Sequence, residues 1–387
     1  MAPNNQVQVF EEGDRLIESI WRDIEGARRE ILVETYIIED DRVGGRVVEL
    51  LESAARRGCR AVLLHDAVGS MNFPRDRLAA AAQAGVSVAA FNSPLAAPRG
   101  MRAAAMRFGV LQRDHRKLIV VDGRVAYTGG ANLSEDYAGP EHGNGRFDDT
   151  HLRIVGPAVR LLRETLITLL AQSRVELPSE APGRVSSSEL GSDAAEPDPA
   201  AADAASGVTV QVLESSGWRK KREIQRELRL AIECASFSLD ITTPYFVPPE
   251  RIVEALIAAA RRGVRVRLLT AGRSDVPVMA FAARHVYERL LRRGVQIFEM
   301  DSPIVHAKTT IADGLYALVG SANMDQWSYR RNLELNVGLF GELCVARLEA
   351  GFERRRRTAR EVTLRGHSRR GWWRSLLEWA AYTLMRL

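Results

Sequence analysis

The sequence predicts an α/β protein built from one unit used twice, each copy a mixed sheet flanked by helices. Three observations predict it. Apolar runs of strand length alternate with stretches of helical period along most of the chain. A helix-then-strand passage near residue 50 returns near residue 255 with the same punctuation. A His-x-Lys-x-x-x-x-Asp frame occurs twice, each time followed by a glycine-containing turn that ends in Asn.

In the first copy, residues 30–38 (Glu-Ile-Leu-Val-Glu-Thr-Tyr-Ile-Ile) read as a strand. Residues 47–58 place apolar side chains at helical spacing and close on Gly58, and 59–64 then read as a short buried strand ending at His65-Asp66. The second copy repeats this order with a strand over 236–245, a helix over 252–263 that closes on Gly263, and a strand over 264–269. A further pair, 84–88 and 293–297, leads in each case into Ser-Pro (Ser93-Pro94, Ser302-Pro303). Each His-x-Lys pair is assigned to a strand, over 117–121 and 308–311, where the period of two points His and Lys to one face.

Residues 178–206 are rich in Pro, Ala, Ser and Asp without periodicity and read as a linker. The expected division is a first domain over 6–175, a linker over 176–207, a second domain over 208–352, and a basic stretch with a C-terminal helix over 353–387. Residues 95–114 are extra in the first copy. With Arg99, Arg102 and Arg107 among Met101, Met106 and Phe108, they read either as a buried loop excursion or as a basic, apolar lip beside the site.

The 387 residues suffice for two domains, and 46% hydrophobic with 27% charged residues is a globular composition. The net charge is +5, and residues 354–374 hold nine arginines against one acid, Glu361. Such a cluster suits anionic phosphates on a membrane or on a nucleic acid. Residues 372–387 add three tryptophans and a tyrosine, which fits either an interfacial helix on anionic lipid or a terminal helix docked on the second domain. Glu378, Arg386 and the short length argue against spanning. Glu11, Glu12 and Asp14 interrupt any early apolar run, so no secretory leader is expected. Cys59, Cys234 and Cys344 are scattered without metal spacing and read as buried reduced thiols.

The two frames are His115-Arg116-Lys117 with Asp122, and His306-Ala307-Lys308 with Asp313. Their turns are Gly129-Gly130-Ala131-Asn132 and Gly320-Ser321-Ala322-Asn323. His, Lys, Asp and Asn keep one offset of 191 residues (115 to 306, 117 to 308, 122 to 313, 132 to 323). The chain has four lysines among 54 basic residues, and two of them stand here. A compact ammonium suits a phosphate that needs a point charge instead of a planar fork. One imidazole can attack phosphorus while another protonates the leaving alkoxide, and the ammonium and Asn amide groups hold the non-bridging oxygens as charge develops. No metal or cofactor is required by this chemistry. Asp122 and Asp313 complete the catalytic frame by motif, while their place after the strand suits the fixing of a turn. His65, His142, His151, His285 and His367 have no repeated context and are assigned ordinary surface or core roles. Asp66 and Tyr245, at strand ends, read equally as cleft lining or packed core.

The duplicated frame with its Asn turns resembles the phospholipase D superfamily. Residues 34–41, 66–70, 243–248, and 147–151 through Gly156-Pro157 are similar to bacterial cardiolipin synthases, nearest the B type, which lacks paired N-terminal membrane helices. The resemblance covers residues 6–387 apart from the linker. It implies two phospholipase D-like domains packed with pseudo-two-fold symmetry around one shared active site. It implies His115 as nucleophile, His306 as general acid/base, and Lys117, Lys308, Asn132 and Asn323 on the phosphate, with Ser321 as an added ligand. Glu334 matches the carboxylate that orients His306, and Asp149, or else Asp148, is left to orient His115.

The implied activity is a phosphatidyltransferase joining two phosphatidylglycerols into cardiolipin plus glycerol. Phospholipase D-type hydrolysis or phosphatidylglycerol formation stays open, and a superfamily nuclease is the remaining alternative. The expected partners are phosphatidylglycerol and an anionic membrane surface, with no nucleic acid. The expected location is peripheral, on the cytoplasmic side of a bacterial cell membrane. The sequence sets no oligomeric state.

Overall fold

A single sheet of fifteen strands runs through the computed structural model, which describes residues 1–93, 112–173, 204–215, 222–368 and 370–385. The first half opens with β1 (Ala2–Phe10), α1 (Gly13–Glu25), β2 (Glu30–Thr35), α2 (Gly44–Arg56), β3 (Arg60–Asp66), α3 (Arg75–Gln83) and β4 (Ser87–Phe91). It continues with β5 (Leu118–Val121), β6 (Val125–Gly129), β7 (Phe147–Asp148), β8 (His151–Val155) and α4 (Ala158–Gln172). The second half begins with β9 (Ala205–Ser215), α5 (Glu223–Cys234), β10 (Ser238–Thr242), β11 (Phe246–Val247), α6 (Glu250–Arg261), β12 (Arg265–Ala271), α7 (Pro277–Leu291) and β13 (Gln296–Met300). Then come β14 (Ile304–Val305), β15 (Thr309–Ala312), β16 (Tyr316–Gly320), β17 (Met324–Asp325), α8 (Gln326–Arg330) and β18 (Glu334–Phe340). The chain closes with α9 (Glu342–Thr358), β19 (Arg360–Glu361), α10 (Leu364–Ser368) and α11 (Trp372–Leu384).

The strand order reverses about the β1–β9 seam. On one side it reads β1-β8-β6-β5-β2-β3-β4, and on the other β9-β18-β16-β15-β10-β12-β13-β19. In each half three strands are parallel (β2, β3 and β4; β10, β12 and β13), linked by helical crossovers, and the motif strand joins them antiparallel. The expected pseudo-two-fold is therefore carried by the sheet itself. One core cluster spans the seam: Val7, Leu118 and Leu152 share it with Val208, Leu335, Val337 and Leu348. Removing a side chain there costs both halves. Gly58 and Gly263, at φ +92° and +94°, end the repeated helices in the left-handed region, as read from the sequence.

Several boundaries differ from the sequence reading. Strands β2 and β10 are shorter than expected because threonines turn the chain: Thr35 Oγ1 donates to Ile37 O (2.8 Å) and Thr243 Oγ1 to Tyr245 O (3.1 Å). His115, Lys117, His306 and Lys308 sit in the extended lead-ins to β5 and β15, not within those strands. Residues 205–207, assigned to the linker, already belong to β9 because the seam continues to them: Ala205 pairs with Val7. Residues 176–203 of the linker and 95–111 of the proposed lip lie outside the described residues. Cys59 and Cys344 are buried, whereas Cys234 is exposed at the end of α5.

The basic run is also reassigned. Helix α9 passes through residue 353, and β19 pairs with β13, so the run begins inside the second half. Arg355 is buried and donates to Asp148 Oδ1 (2.6 Å), Glu11 Oε1 (3.0 Å), Asp149 O (3.0 Å) and Thr150 Oγ1 (3.0 Å). Arg360 pairs with Glu299 and Arg370 with Glu378. These guanidinium groups tie the protein together and are not a free phosphate-binding patch.

Helix α11 packs Tyr382 against His285 of α7 (ring centroids 4.7 Å apart) and buries Glu378 on Arg370. Its other face leaves Trp372, Trp373, Leu376, Leu377 and Trp379 exposed, from 51% to 79%. The helix is thus docked on the second half and also presents an apolar face. No described helix is long and apolar enough to cross a membrane.

Candidate active site

The lead-in to each motif strand pairs its backbone with the other half. Asp114 bridges Leu333 in parallel, with His115 N donating to Leu333 O (3.0 Å) and Leu333 N to Arg113 O (2.8 Å). Symmetrically, β14 pairs with β7 in parallel, and His306 N donates to Asp148 O (2.7 Å). Each histidine is therefore laid beside the residues that lead into the other half's strand β8 or β18.

That placement decides the carboxylates. His115 Nδ1 donates to Glu334 Oε2 at 3.0 Å, and His306 Nδ1 donates to Asp149 Oδ2 at 2.7 Å. The sequence assignment had these two pairs the other way round and is corrected. The two acids are structural equivalents, each two residues before the partner of the motif glycine (Gly129 with His151, Gly320 with Asn336). Their offset is 185 residues (149 to 334), six fewer than that of the motifs, because the first copy has a longer loop between β6 and β8. Counting by the motif offset therefore lands on Gly143. With Nδ1 engaged, Nε2 is the ring atom left for phosphorus or a proton.

The supporting groups differ between the halves. Ser321 Oγ donates to Glu334 Oε2 (2.5 Å) and accepts from Leu335 N (3.0 Å). It is fully buried and orients the carboxylate, so its assignment as a phosphate ligand is withdrawn. Its counterpart must be glycine: a Cβ on Gly130 would lie 2.2 Å from Asp149 Oδ1.

Asp122 and Asp313 are also corrected. Both hold a left-handed backbone (φ 53° and 55°) and bind the start of the neighbouring strand. Asp122 accepts from the amides of Arg28, Arg29 and Glu30, and Asp313 from those of Ser236, Phe237 and Ser238. Those backbone bonds hold Asp313 below the usual aspartate range despite the opposing, larger effect of burial. The two carboxylates serve the turns at the far end of β5 and β15, not the chemistry.

His115, His306, Asn132 and Asn323 line one open cleft of about 600 Å³, together with Tyr36, Tyr137 and Tyr245. Lys117 and Lys308 are buried beneath it. Lys117 Nζ donates to His115 O (2.7 Å) and lies 5.2 Å from the Tyr36 ring centroid. Lys308 Nζ is 2.7 Å from His306 Nδ1, 3.2 Å from Nε2 and 4.0 Å from Asp149 Oδ2. Asn132 donates from Nδ2 to Tyr137 OH (2.8 Å), and Tyr137 OH in turn lies 3.5 Å from His306 Nδ1.

Burial governs the electrostatics. It lowers Lys117 to about 7, with repulsion from Lys308 adding to it, and lowers Lys308 to about 8 against the attraction of Asp149. Burial, then Lys308, brings His306 to about 4, and burial also lowers His115 although Glu334 opposes it. Burial by itself would raise both acids. Lys308 and His306 outweigh it at Asp149, and His115 does so at Glu334, so both stay ionised. At neutral pH the resting site thus has neutral imidazoles held by carboxylates above the Lys308 ammonium and a Lys117 near its titration midpoint.

Tyr36 and Tyr137, which meet His115 and His306 edge-on (ring centroids 4.9 and 5.3 Å apart), were not found from the sequence. Neither sits at a matching offset, so no repeat marked them. Tyr245 does line the cleft, whereas Asp66 is fully buried, accepting from Arg113 (3.2 Å) and the Asp114 amide (2.9 Å). Arg116, the variable residue of the first frame, is buried against Glu34 (2.6 Å) and Asp114 (3.2 Å), which fixes the lead-in. His151 is buried beneath the site and lowered to about 4 by its burial. Glu18, Glu141 and His142 converge at the surface, and none of them lines the cleft.

Residues 20–144 and 228–356 match the family described as cardiolipin synthase, PLD-like domain. The chain is 34% identical over 337 residues to a cardiolipin synthase of Geobacillus kaustophilus, covering 87% of this chain and 63% of that protein. It is 31% identical over 376 residues to one from Halalkalibacterium halodurans, covering 97% and 71%. Cardiolipin synthase A of Pseudomonas aeruginosa is 33% identical over 355 residues, covering 90% and 67%. The chain therefore spans just under two thirds of the Geobacillus relative. Among solved structures, the phosphatidylserine synthase of Haemophilus influenzae matches all of this chain and 97% of its own at TM-score 0.71 and 12% identity. A polyphosphate kinase from Porphyromonas gingivalis matches 90% of this chain and 50% of its own at TM-score 0.54 and 12% identity, and at such identities both likenesses are of fold. With both halves matched, the chain belongs to the cardiolipin synthase family of phospholipase D-like proteins.

Proposed function

We propose that the protein is a phosphatidyltransferase that converts two phosphatidylglycerols into cardiolipin and glycerol. The observation that carries this is the crossed pair of His–carboxylate contacts, which offers two oriented Nε2 atoms to one cleft. In the first step His115 Nε2 bonds phosphorus, the P–O bond to the headgroup glycerol breaks, and His306 supplies that oxygen with a proton. In the second, a hydroxyl of another phosphatidylglycerol gives its proton to His306 and bonds phosphorus as the P–N bond to His115 breaks. One phosphodiester replaces another, so no nucleotide donor is required.

The resting His306 is neutral, largely through burial and Lys308. A phosphodiester anion between the lysines offsets their charge, raising His306 toward its ordinary range as substrate binds. Lys117, Lys308, Asn132 and Asn323 hold the non-bridging oxygens. The exposed tryptophan and leucine face of α11, beside the cleft that Met385 also lines, suits docking on anionic lipid at the cytoplasmic face of a bacterial membrane.

The test is to incubate the protein with phosphatidylglycerol vesicles and to identify products by mass spectrometry. Cardiolipin from wild type and none from His115→Ala is the expected result. Phosphatidic acid alone would make the protein a hydrolase, and cleavage of single-stranded DNA without lipid turnover would make it a nuclease.

A further inference from the structure

The two halves of the cleft match at the histidines, lysines and asparagines but not two residues further on. Ser134 and Asp325 stand at the same 191-residue offset (134 to 325), and each caps the short helix that follows its Asn turn. Both line the cleft. Ser134 is spent on local bonds: it caps Asp136 N and donates to Glu39 Oε2 (3.0 Å). Asp325 caps Ser328 N (2.8 Å), is 2% exposed, and has no cation within ion-pair distance among the described residues. At the mouth of the same wall Asp275 accepts from Tyr245 OH (2.7 and 2.8 Å) and from Ser274 Oγ (3.3 Å), likewise without a cation within ion-pair distance among the described residues. The Tyr245 ring lies 6.5 Å from that of His306. Asn323, two residues before Asp325, lines the cleft at 4% exposure with its side-chain Oδ1 unpartnered.

A wall of acceptors without a cation repels phosphate oxygens and attracts hydroxyl donors. It stands on the His306 side. We infer that Asp325, Asp275 and Tyr245, with the acceptor Oδ1 of Asn323 (its Nδ2 being the atom left for phosphate), form a hydroxyl-binding subsite that holds the glycerol headgroup as it leaves and again as the next one enters. This rests on the phosphatidyltransferase reading and specifies where its alcohol sits. Attack by His115 expels the group opposite it, and the incoming hydroxyl returns along the same line, so both glycerols occupy one place beside His306. Burial raises Asp325 to about 7, which lets it accept from one hydroxyl and, when protonated, donate to another.

The test is a competition for the transferred phosphatidyl group. The whole protein is given phosphatidylglycerol vesicles with equal concentrations of isotope-labelled glycerol and 1-propanol, and labelled phosphatidylglycerol is measured against phosphatidylpropanol. Wild type should favour glycerol. Asp325→Ser, which keeps a helix cap of the kind found in the first half, and Asp275→Asn should each lower the ratio roughly tenfold, the effect of losing a hydrogen bond to a charged acceptor. The ratio is internal to each sample, so a general loss of activity cancels. An unchanged ratio in both variants overturns the subsite while leaving the transferase reading standing. Wild type that makes phosphatidic acid and no product with either alcohol overturns the transferase reading and the subsite with it.

Discussion

Glu334 Oε2 lies 3.0 Å from Nδ1 of His115, a residue of the other half of the molecule. With Asp149 and His306 in the mirrored relation, each half supplies the histidine that the other half orients.

The crossed contacts predict which histidine responds to which acid. Glu334→Gln should lower kcat by about 10²–10⁴ with little change in KM. In ¹⁵N spectra of the histidine rings, it should shift His115 and leave His306 in place, and Asp149→Asn should do the reverse. Perturbation of the histidine in the same half would refute the crossing.

Activity and stability should respond oppositely to alkaline pH. Lys117 and Lys308 are held to about 7 and about 8, chiefly by burial, and the ammonium form is the one that holds phosphate. KM for the phosphodiester should therefore rise from about pH 7 as Lys117 discharges and more steeply above about pH 8 as Lys308 follows, by about tenfold per unit for each lysine discharged. In the unfolded chain Lys117 keeps its proton to about 10.5, so between 7 and 10.5 the unfolded state binds more protons and stability rises with pH. Melting curves should show that rise, and Lys117→Met should flatten it. A KM constant from pH 7 to 9 would contradict the assignment.

Arg355 should matter to folding far more than its neighbour. Arg355→Ala leaves Asp148 and Glu11 without their buried partner and should cost about 3–5 kcal/mol in urea denaturation. Arg354 binds the same two acids from a half-exposed position, so Arg354→Ala should cost no more than about 1 kcal/mol. Equal costs would show that the buried contacts carry no special weight.

The C-terminal helix should separate binding from docking. Serine at Trp372, Trp373, Leu376 and Leu377 should weaken binding to phosphatidylglycerol vesicles at least tenfold by flotation, with an unchanged melting temperature. Tyr382→Ala, on the docked face, should lower the melting temperature instead. Unaltered vesicle binding in the first variant would remove the helix from the membrane contact.

The repeat made much of this legible before any coordinates. A constant offset picked out His115, Lys117 and Asn132 with their counterparts, and Gly58 and Gly263 marked the same helix ends. The offset failed where the loop lengths diverge, which left Asp149 unmarked by the repeat, while the resemblance that singled out Glu334 gave it to the histidine of its own half. Which half a side chain reaches is set by the parallel bridges at Asp114 and Ile304, a long-range pairing with no local pattern. The arginines of 354–370 misled for the opposite reason: a charge run looks solvated in sequence, and only packing shows that Arg355 is buried among acids.

The β1–β9 seam joins by hydrogen bonds two halves that also belong to one chain, and that has a consequence for divergence. Two separate copies meeting about the same axis would have to carry one residue at both of two related positions, because symmetry repeats every side chain. A fused chain is free of that rule. Gly130 can face Ser321, Asp149 can face Glu334, and Ser134 can face Asp325, so a site assembled by symmetry can still have two chemically different ends.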